Sequence, residues 1–159
     1  MVNEDRILNT FLDLVRIDSP SREEEAIANE LVNRLKTLGM NVEMDSMFNI
    51  FATLPGSGDP VLLMAHMDTV MPGRGVKPVV RDRVVYSDGT TVLGADPKSG
   101  VAAILEALAV IVEEGRPHPP LEVLITAQEE IGLLGARAFD KSKIHAHYGL
   151  SYDYGGVPG

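Results

Sequence analysis

The apolar positions along the chain switch repeatedly between a helical and an extended period. Over residues 6–17, Ile7, Leu8, Phe11, Leu12, Leu14 and Val15 recur at helical spacing, and Asp18-Ser19-Pro20 stops the pattern. A second helix is predicted directly afterwards. Ser21 and Glu24 have the form of a capping box, acids crowd the first turn, and Ile27, Leu31, Leu35 and Leu38 make a stripe that ends at Gly39. Strands are predicted at 41–45 and 49–54. After a Pro/Gly turn at 55–59, the unbroken apolar run at 61–65 reads as a strand buried on both faces. Residues 79–81 and 83–87 are expected to pair as a hairpin through Asp82. Residues 98–114 form the longest predicted helix, with Val101, Ile104, Leu105, Leu108, Ile111 and Val112 facing inward and Gly115 after the last turn. A buried strand at 121–126, a shorter helix at 131–139 and a last strand at 149–152 complete the pattern.

Alternating strands and helices of these lengths predict an α/β fold, a sandwich with a mixed, largely parallel sheet. In open sheets of this kind ligands gather beyond the carboxyl ends of the parallel strands. His66 and Asp68 follow the strand at 61–65, Glu129 and Glu130 follow the one at 121–126, and Asp153 follows the last. Three predicted strand ends therefore carry metal-type ligands to one edge.

Composition narrows the chemistry. A chain of 159 residues is long enough for one domain with a real core. It is 45% hydrophobic and 23% charged, with no run of about 18 apolar residues that would span a bilayer. Acids outnumber bases 23 to 14, for a formal net charge of -9, which disfavours nucleic acid as a partner and suits a cation. Glu4 and Asp5 stand where a secretory signal would be basic, so a cytoplasmic protein with no membrane partner is expected. With no cysteine, any metal must be held by His, Asp and Glu.

The candidate residues fit that restriction. His66 and Asp68 are two apart and so point the same way on an extended strand, which lets Asp68 orient the second ring nitrogen of a metal-binding His66. Asp96 precedes a long helix, where unpaired N–H groups and the dipole favour negative charge, and a carboxylate held there can be shared between two metals. Glu129 and Glu130 are adjacent, so one can ligate while the other acts as general base on a water activated by the metal.

The stretches AHMDTV (65–70), LGADPKSGVAAILEAL (93–108), TAQEEIGLLGARAF (126–139) and GLSYDYGG (149–156) resemble, in order and spacing, the peptidase T, carboxypeptidase G and aminoacylase family of zinc metallopeptidases. The likeness spans essentially the whole chain and is strongest to the peptidase T-like branch. It implies a sandwich of three layers, of the zinc-dependent exopeptidase type, and release of N-terminal residues from short peptides. It also implies His66 and Asp153 as ligands of one zinc, Asp96 as the bridge, Glu130 as a ligand of the other zinc, Glu129 as general base and Asp68 as the orienting acid. Cobalt or manganese are possible substitutes for zinc.

Two departures from the family pattern shape the expectations. An acid joined by a cis peptide usually follows the bridging Asp, whereas Pro97 stands here, and a cis Asp96–Pro97 bond is predicted. Family members also continue into a lid and dimerisation domain and then return to supply a final His ligand, whereas this sequence stops at Gly159. The expectation is therefore the N-terminal portion of a catalytic domain, with one tight zinc at His66, Asp96 and Asp153, a weak second one, little turnover, and self-association through uncovered surface. The rival functions are a related amidohydrolase acting on N-acyl amino acids and a catalytically silent metal-binding fragment.

Other residues receive structural readings. His118, His145 and His147 are read as surface or hydrogen-bonded groups, and Lys98 and Ser99 as shaping a helix start. Gly94, Gly100, Gly132 and Gly135 are read as turns or close packing, and the methionines as core filling.

Overall fold

The computed structural model describes residues 1–153, so the last residues of the 149–156 motif lie outside the described part. Its elements run α1 (Glu4–Arg16), α2 (Glu25–Thr37), β1 (Asn41–Met44), β2 (Ile50–Leu54), β3 (Val61–His66), β4 (Pro78–Arg81), β5 (Val84–Ser87), α3 (Ala95–Glu114), β6 (Leu121–Thr126), α4 (Leu134–Ala138) and β7 (Gly149–Ser151). Five strands form one sheet in the order β1-β2-β6-β3-β7. β3 is parallel to both β6 and β7, while β2 and β1 run antiparallel at the other side. β4 and β5 form a separate hairpin whose turn residues Asp82 and Arg83 both have positive φ (49° and 63°), the handedness that a tight two-residue hairpin needs.

Burial of both faces explains why β3 reads as a continuous apolar run and why β6 is apolar but for Glu122 and Thr126. Leu63 and Ala65 of β3, Val123 and Ile125 of β6, and Ile50 and Ala52 of β2 pack with Leu14, Ile27, Leu31, Leu35, Ile104 and Leu108 of the three long helices. The intervening Leu62, Leu124 and Phe51 form a second cluster with Phe139, bordered by Met64, Ile144 and Ala146. Each fully buried Leu, Ile or Phe contributes about 1.5–3 kcal/mol relative to exposure. On this second face Glu122 of β6 is buried, and its carboxylate accepts the backbone N–H groups of His145 (3.0 Å) and Ala146 (3.1 Å). That clamp fixes the approach to β7 and hence the position of Asp153.

The structure corrects several expectations. The Ser21/Glu24 capping box does not form: Glu24 occupies the N-cap of α2 with helical φ/ψ and makes no capping bond. Both side chains are drawn to the sheet edge instead. The helix predicted at 131–139 is only Leu134–Ala138, because Gly132 (φ 110°) and Leu133 (φ 59°) take left-handed conformations ahead of it. α3 is regular only from Lys98, since Asp96 (ψ 113°) and Pro97 depart from helical geometry, and the Asp96–Pro97 bond is cis as predicted. Met40 and Met67 fill the core, but Met44 and Met71 are exposed. Among the described residues no helix is long and apolar enough to cross a membrane.

Candidate metal centre

His66 ends β3, Glu129 and Glu130 lie three and four residues past β6, Asp153 lies two past β7, and Asp96 sits in the kink that opens α3. His66 is 2% exposed, and its Nε2 is 3.4 Å from Asp96 Oδ1, 3.7 Å from Glu129 Oε2 and 4.0 Å from Asp153 Oδ1. Two sets of donor atoms gather within 4.8 Å: His66 with Asp96 and Asp153, and His66 with Glu129 and Glu130. These five residues, with Asp68 against the other nitrogen of His66, bring the six candidate ligands and catalytic groups of the sequence to one edge. The second set joins His66 to Glu129 as well as to Glu130, so the general-base candidate lies as near the imidazole as a ligand would.

Asp68 does more than face the imidazole. Its Oδ1 lies 3.3 Å from His66 Nδ1, off the line of a well-formed hydrogen bond, so the contact is chiefly one of charge. The same carboxylate accepts the backbone N–H of Glu129 (2.9 Å), that of Glu130 (3.2 Å) and the hydroxyl of Ser21 (2.6 Å). The preceding amides are also held by side chains: Gln128 N donates to Glu24 Oε1 (2.9 Å) and Ala127 N to Asn49 Oδ1 (3.1 Å). Four successive N–H groups, from Ala127 to Glu130, therefore end on side-chain oxygens from three other segments. They hold Gln128 at φ 54°, a conformation that costs a non-glycine residue on the order of 1 kcal/mol.

Electrostatics follow from burial and crowding. Burial alone would lower the His66 imidazole, but Asp68 and the charges of Glu129 and Asp153 outweigh it, so the group is raised. Asp68 is pushed up by burial and pulled down further by His66, Ser21 and the two amides, with a net fall. Glu130 is raised by burial and then by the negative charges of Asp96, Glu129 and Asp68, against the pull of His66. Among the described residues no Lys or Arg nitrogen lies within 4.0 Å of these carboxylates; their ion-pair contacts are to His66 alone. Two like charges 4 Å apart repel by roughly 4 kcal/mol at an effective dielectric constant near 20. An uncompensated cluster of this kind, built from one imidazole and several carboxylates, fits divalent metal in a hydrolytic centre.

Beside the centre lies a cleft of about 200 Å³, bounded by Met64, Leu124, Leu133 and Ala136, with His66, Glu129 and Asp153 at its rim. A larger groove of about 370 Å³ between α1, α2 and α3 has no comparable chemistry, because its Arg6 and Arg34 are already paired with Glu106 and Glu30.

The remaining sequence readings divide. His145 Nδ1 is 3.2 Å from Glu122, and His118 Nδ1 is 2.7 Å from the Pro119 carbonyl oxygen. Gly100 and Gly135 sit where a side chain would strike Tyr152 and Ala127 backbone, and Gly94 has φ 74°. Ser99 Oγ donates to Ala95 O (2.8 Å) at the start of α3. Lys98 is buried, with its Nζ donating to Ile17 O (2.8 Å), and burial lowers its ammonium to about 8; it ties the end of α1 to the start of α3. Glu24, Asn49 and the link from Ser21 to Asp68 are additions that only the packed structure supplies. Their signal was present only as a Ser and a Glu that also satisfied a helix-cap pattern.

Comparison with known proteins agrees with this geometry. The chain is 45% identical over 169 residues to the uncharacterized protein YqjE of Bacillus subtilis, covering 100% of this chain and 46% of that one. It superposes with a TM-score of 0.94 on the crystal structure of aminopeptidase PepT from Bacillus cereus, at 40% identity, covering 98% of this chain and 44% of that one. On a tripeptidase from Staphylococcus aureus the TM-score is 0.93 at 41% identity, covering 97% of this chain and 44% of that one. The chain thus spans less than half the length of each. The sequence pattern of peptidase family M28 matches residues 49–154, a span that begins at Asn49, includes His66, Asp96, Glu129 and Glu130, and reaches past Asp153. This chain belongs to peptidase family M28.

Proposed function

We propose that the chain carries the catalytic centre of a metal-dependent aminopeptidase that releases N-terminal residues from short peptides, in the manner of a tripeptidase. The observation that carries this reading is the meeting of His66, Glu129, Glu130 and Asp153 at three strand ends with Asp96 at the start of α3, with no Lys or Arg among the described residues to neutralise them. His66 and Asp153 would hold one zinc, Glu130 the other, and Asp96 would be shared. Bound metal would polarise the scissile carbonyl and acidify water. Glu129, one-quarter exposed and aimed at the same point, takes the proton of the attacking water and passes it to the departing amine as the C–N bond breaks. Asp68 fixes the His66 ring and, through two backbone amides, the direction of both glutamates. The acidic rim favours the ammonium end of a peptide over its carboxylate end. The names of the PepT and tripeptidase neighbours support the same substrate class.

Among the described residues His66, Asp96 and Asp153 would hold the first metal and Glu130 with Asp96 the second, so tighter binding is expected at the first. Self-association through β7 belongs to the same proposal, since β7 pairs on one side only among the described residues and carries exposed Leu150, with Tyr148 exposed beside it.

The test is release of N-terminal amino acids from a tripeptide panel by zinc- or manganese-loaded protein, with Glu129→Gln beside it. Release that disappears in the variant is expected. Folded, metal-loaded protein that cleaves none of the panel would overturn the reading in favour of a silent metal-binding module, and cleavage of N-acyl amino acids instead would point to the amidohydrolase rival.

A further inference from the structure

Glu24 is a glutamate with no accessible surface, placed at the N-cap of α2 where it performs no capping. N-cap positions are ordinarily filled by short, solvated side chains, and a buried carboxyl there is costly unless something else uses it. Its Oε1 accepts the Gln128 N–H at 2.9 Å, and its Oε2 has no hydrogen-bond partner among the described residues. Gln128 is the left-handed residue immediately before Glu129, so that amide lies at the point where the chain leaving β6 reverses toward the metal centre.

We infer that Glu24 is a positioning residue for the hydrolytic reaction: by holding the Gln128 amide it fixes the strained turn that aims Glu129 at the substrate. The inference rests on the peptidase reading for its kinetic consequence, but its structural part stands apart from activity.

Three features converge on this role. The neighbouring amides of Glu129 and Glu130 are anchored by Asp68, which is itself tied to His66, so Glu24 supplies the one anchor of the turn at Gln128 that comes from α2. A residue at φ 54° without glycine's freedom relaxes toward negative φ once its N–H is released, and that relaxation would rotate the Glu129 carboxylate away from its place 3.7 Å from His66 Nε2. The role also calls on only one oxygen of the carboxyl, since Oε1 takes the Gln128 amide and Oε2 bonds nothing among the described residues. A neutral acceptor is therefore sufficient for the role, and glutamine should reproduce it.

Three proteins decide the matter: wild type, Glu24→Gln and Glu24→Met, each measured for tripeptide kinetics and for amide hydrogen exchange across residues 127–130. Glu24→Met is expected to lower kcat by about 10²-fold, the scale of a slight misplacement of a reacting group, with KM changed less than about threefold. Exchange at Gln128 should rise in the same variant, and Glu24→Gln should restore both values to near wild type. Unchanged Gln128 exchange in Glu24→Met, or equal damage in the Gln and Met variants, would overturn the inference and leave Glu24 a packing residue. If wild type cleaves no peptide, the peptidase reading fails while the exchange pattern still decides whether Glu24 holds the turn. Should Glu24→Met not fold, Glu24→Asp, one methylene short, replaces it with the same pattern expected at smaller amplitude.

Discussion

Glu106 of α3 and Glu24 at the start of α2 are both buried glutamates, and they sit in opposite electrostatic settings. Glu106 receives Nε and Nη2 of Arg6 at 2.5 and 3.0 Å and the Asn3 amide at 2.7 Å, and Arg6 also pairs with Glu113. Its charge is matched, its acceptors are filled, and nothing is left to react. Glu24 and the carboxylates beside it receive backbone amides, a hydroxyl and one imidazole, but no guanidinium or ammonium within ion-pair distance. The same residue types are structural in the helical groove and chemical at the sheet edge, and the difference is whether a cation of the protein's own has been provided. Where it has not, the fold leaves room for a metal.

The largest expected effect that sharpens the comparison is on the chemical side. Glu129→Gln should lower turnover on the order of 10²–10⁴-fold while leaving bound zinc, counted by atomic absorption, close to wild type. Asp68→Asn comes next, because it weakens both the imidazole's orientation and the grip on two amides. A 10–100-fold loss of zinc affinity, read by competition with a chelator, is expected on the scale of partners that orient metal ligands. On the structural side, Arg6→Met should lower the melting temperature by leaving Glu106 buried without its cation, yet leave zinc affinity unchanged. A shift in zinc binding from Arg6→Met would break the separation of the two regions.

The smallest and most discriminating effect is in the pH dependence of metal-free stability, where the two glutamates have opposite signs. Arg6 hydrogen bonds hold Glu106 below the ordinary value of 4.5, so its contribution is present above that value and lost as pH falls through the folded-state one. Burial raises Glu24 above 4.5, so its contribution is complete below that value and lost as pH rises through the folded-state one. Thermal melts from pH 3 to 7 should therefore lose an acid-labile component in Arg6→Met. In Glu24→Gln they should instead lose the decline seen as pH rises above the ordinary glutamate value. Identical pH profiles for the two variants would remove the contrast.

The sequence carried a good deal of this. The order of elements, the two-sided burial of β3 and β6 and the start of regular helix at Lys98 follow from apolar periodicity, a local property. Its motifs also named the six residues that meet at the sheet edge, because a strand end must present its next side chains there. What sequence could not decide was partnership across long separations. Ser21 and Glu24 satisfied a capping pattern on local grounds, yet Asp68 and the Gln128 amide claimed them, 47 and 104 residues away. Asn49 offered no pattern at all, although it bonds the amide of Ala127 and the carbonyl of Gly135. Buried polar groups must be satisfied by whatever the packed chain brings within reach, so only the tertiary structure could assign which carboxylates are anchors, which are paired, and which stand open for a metal.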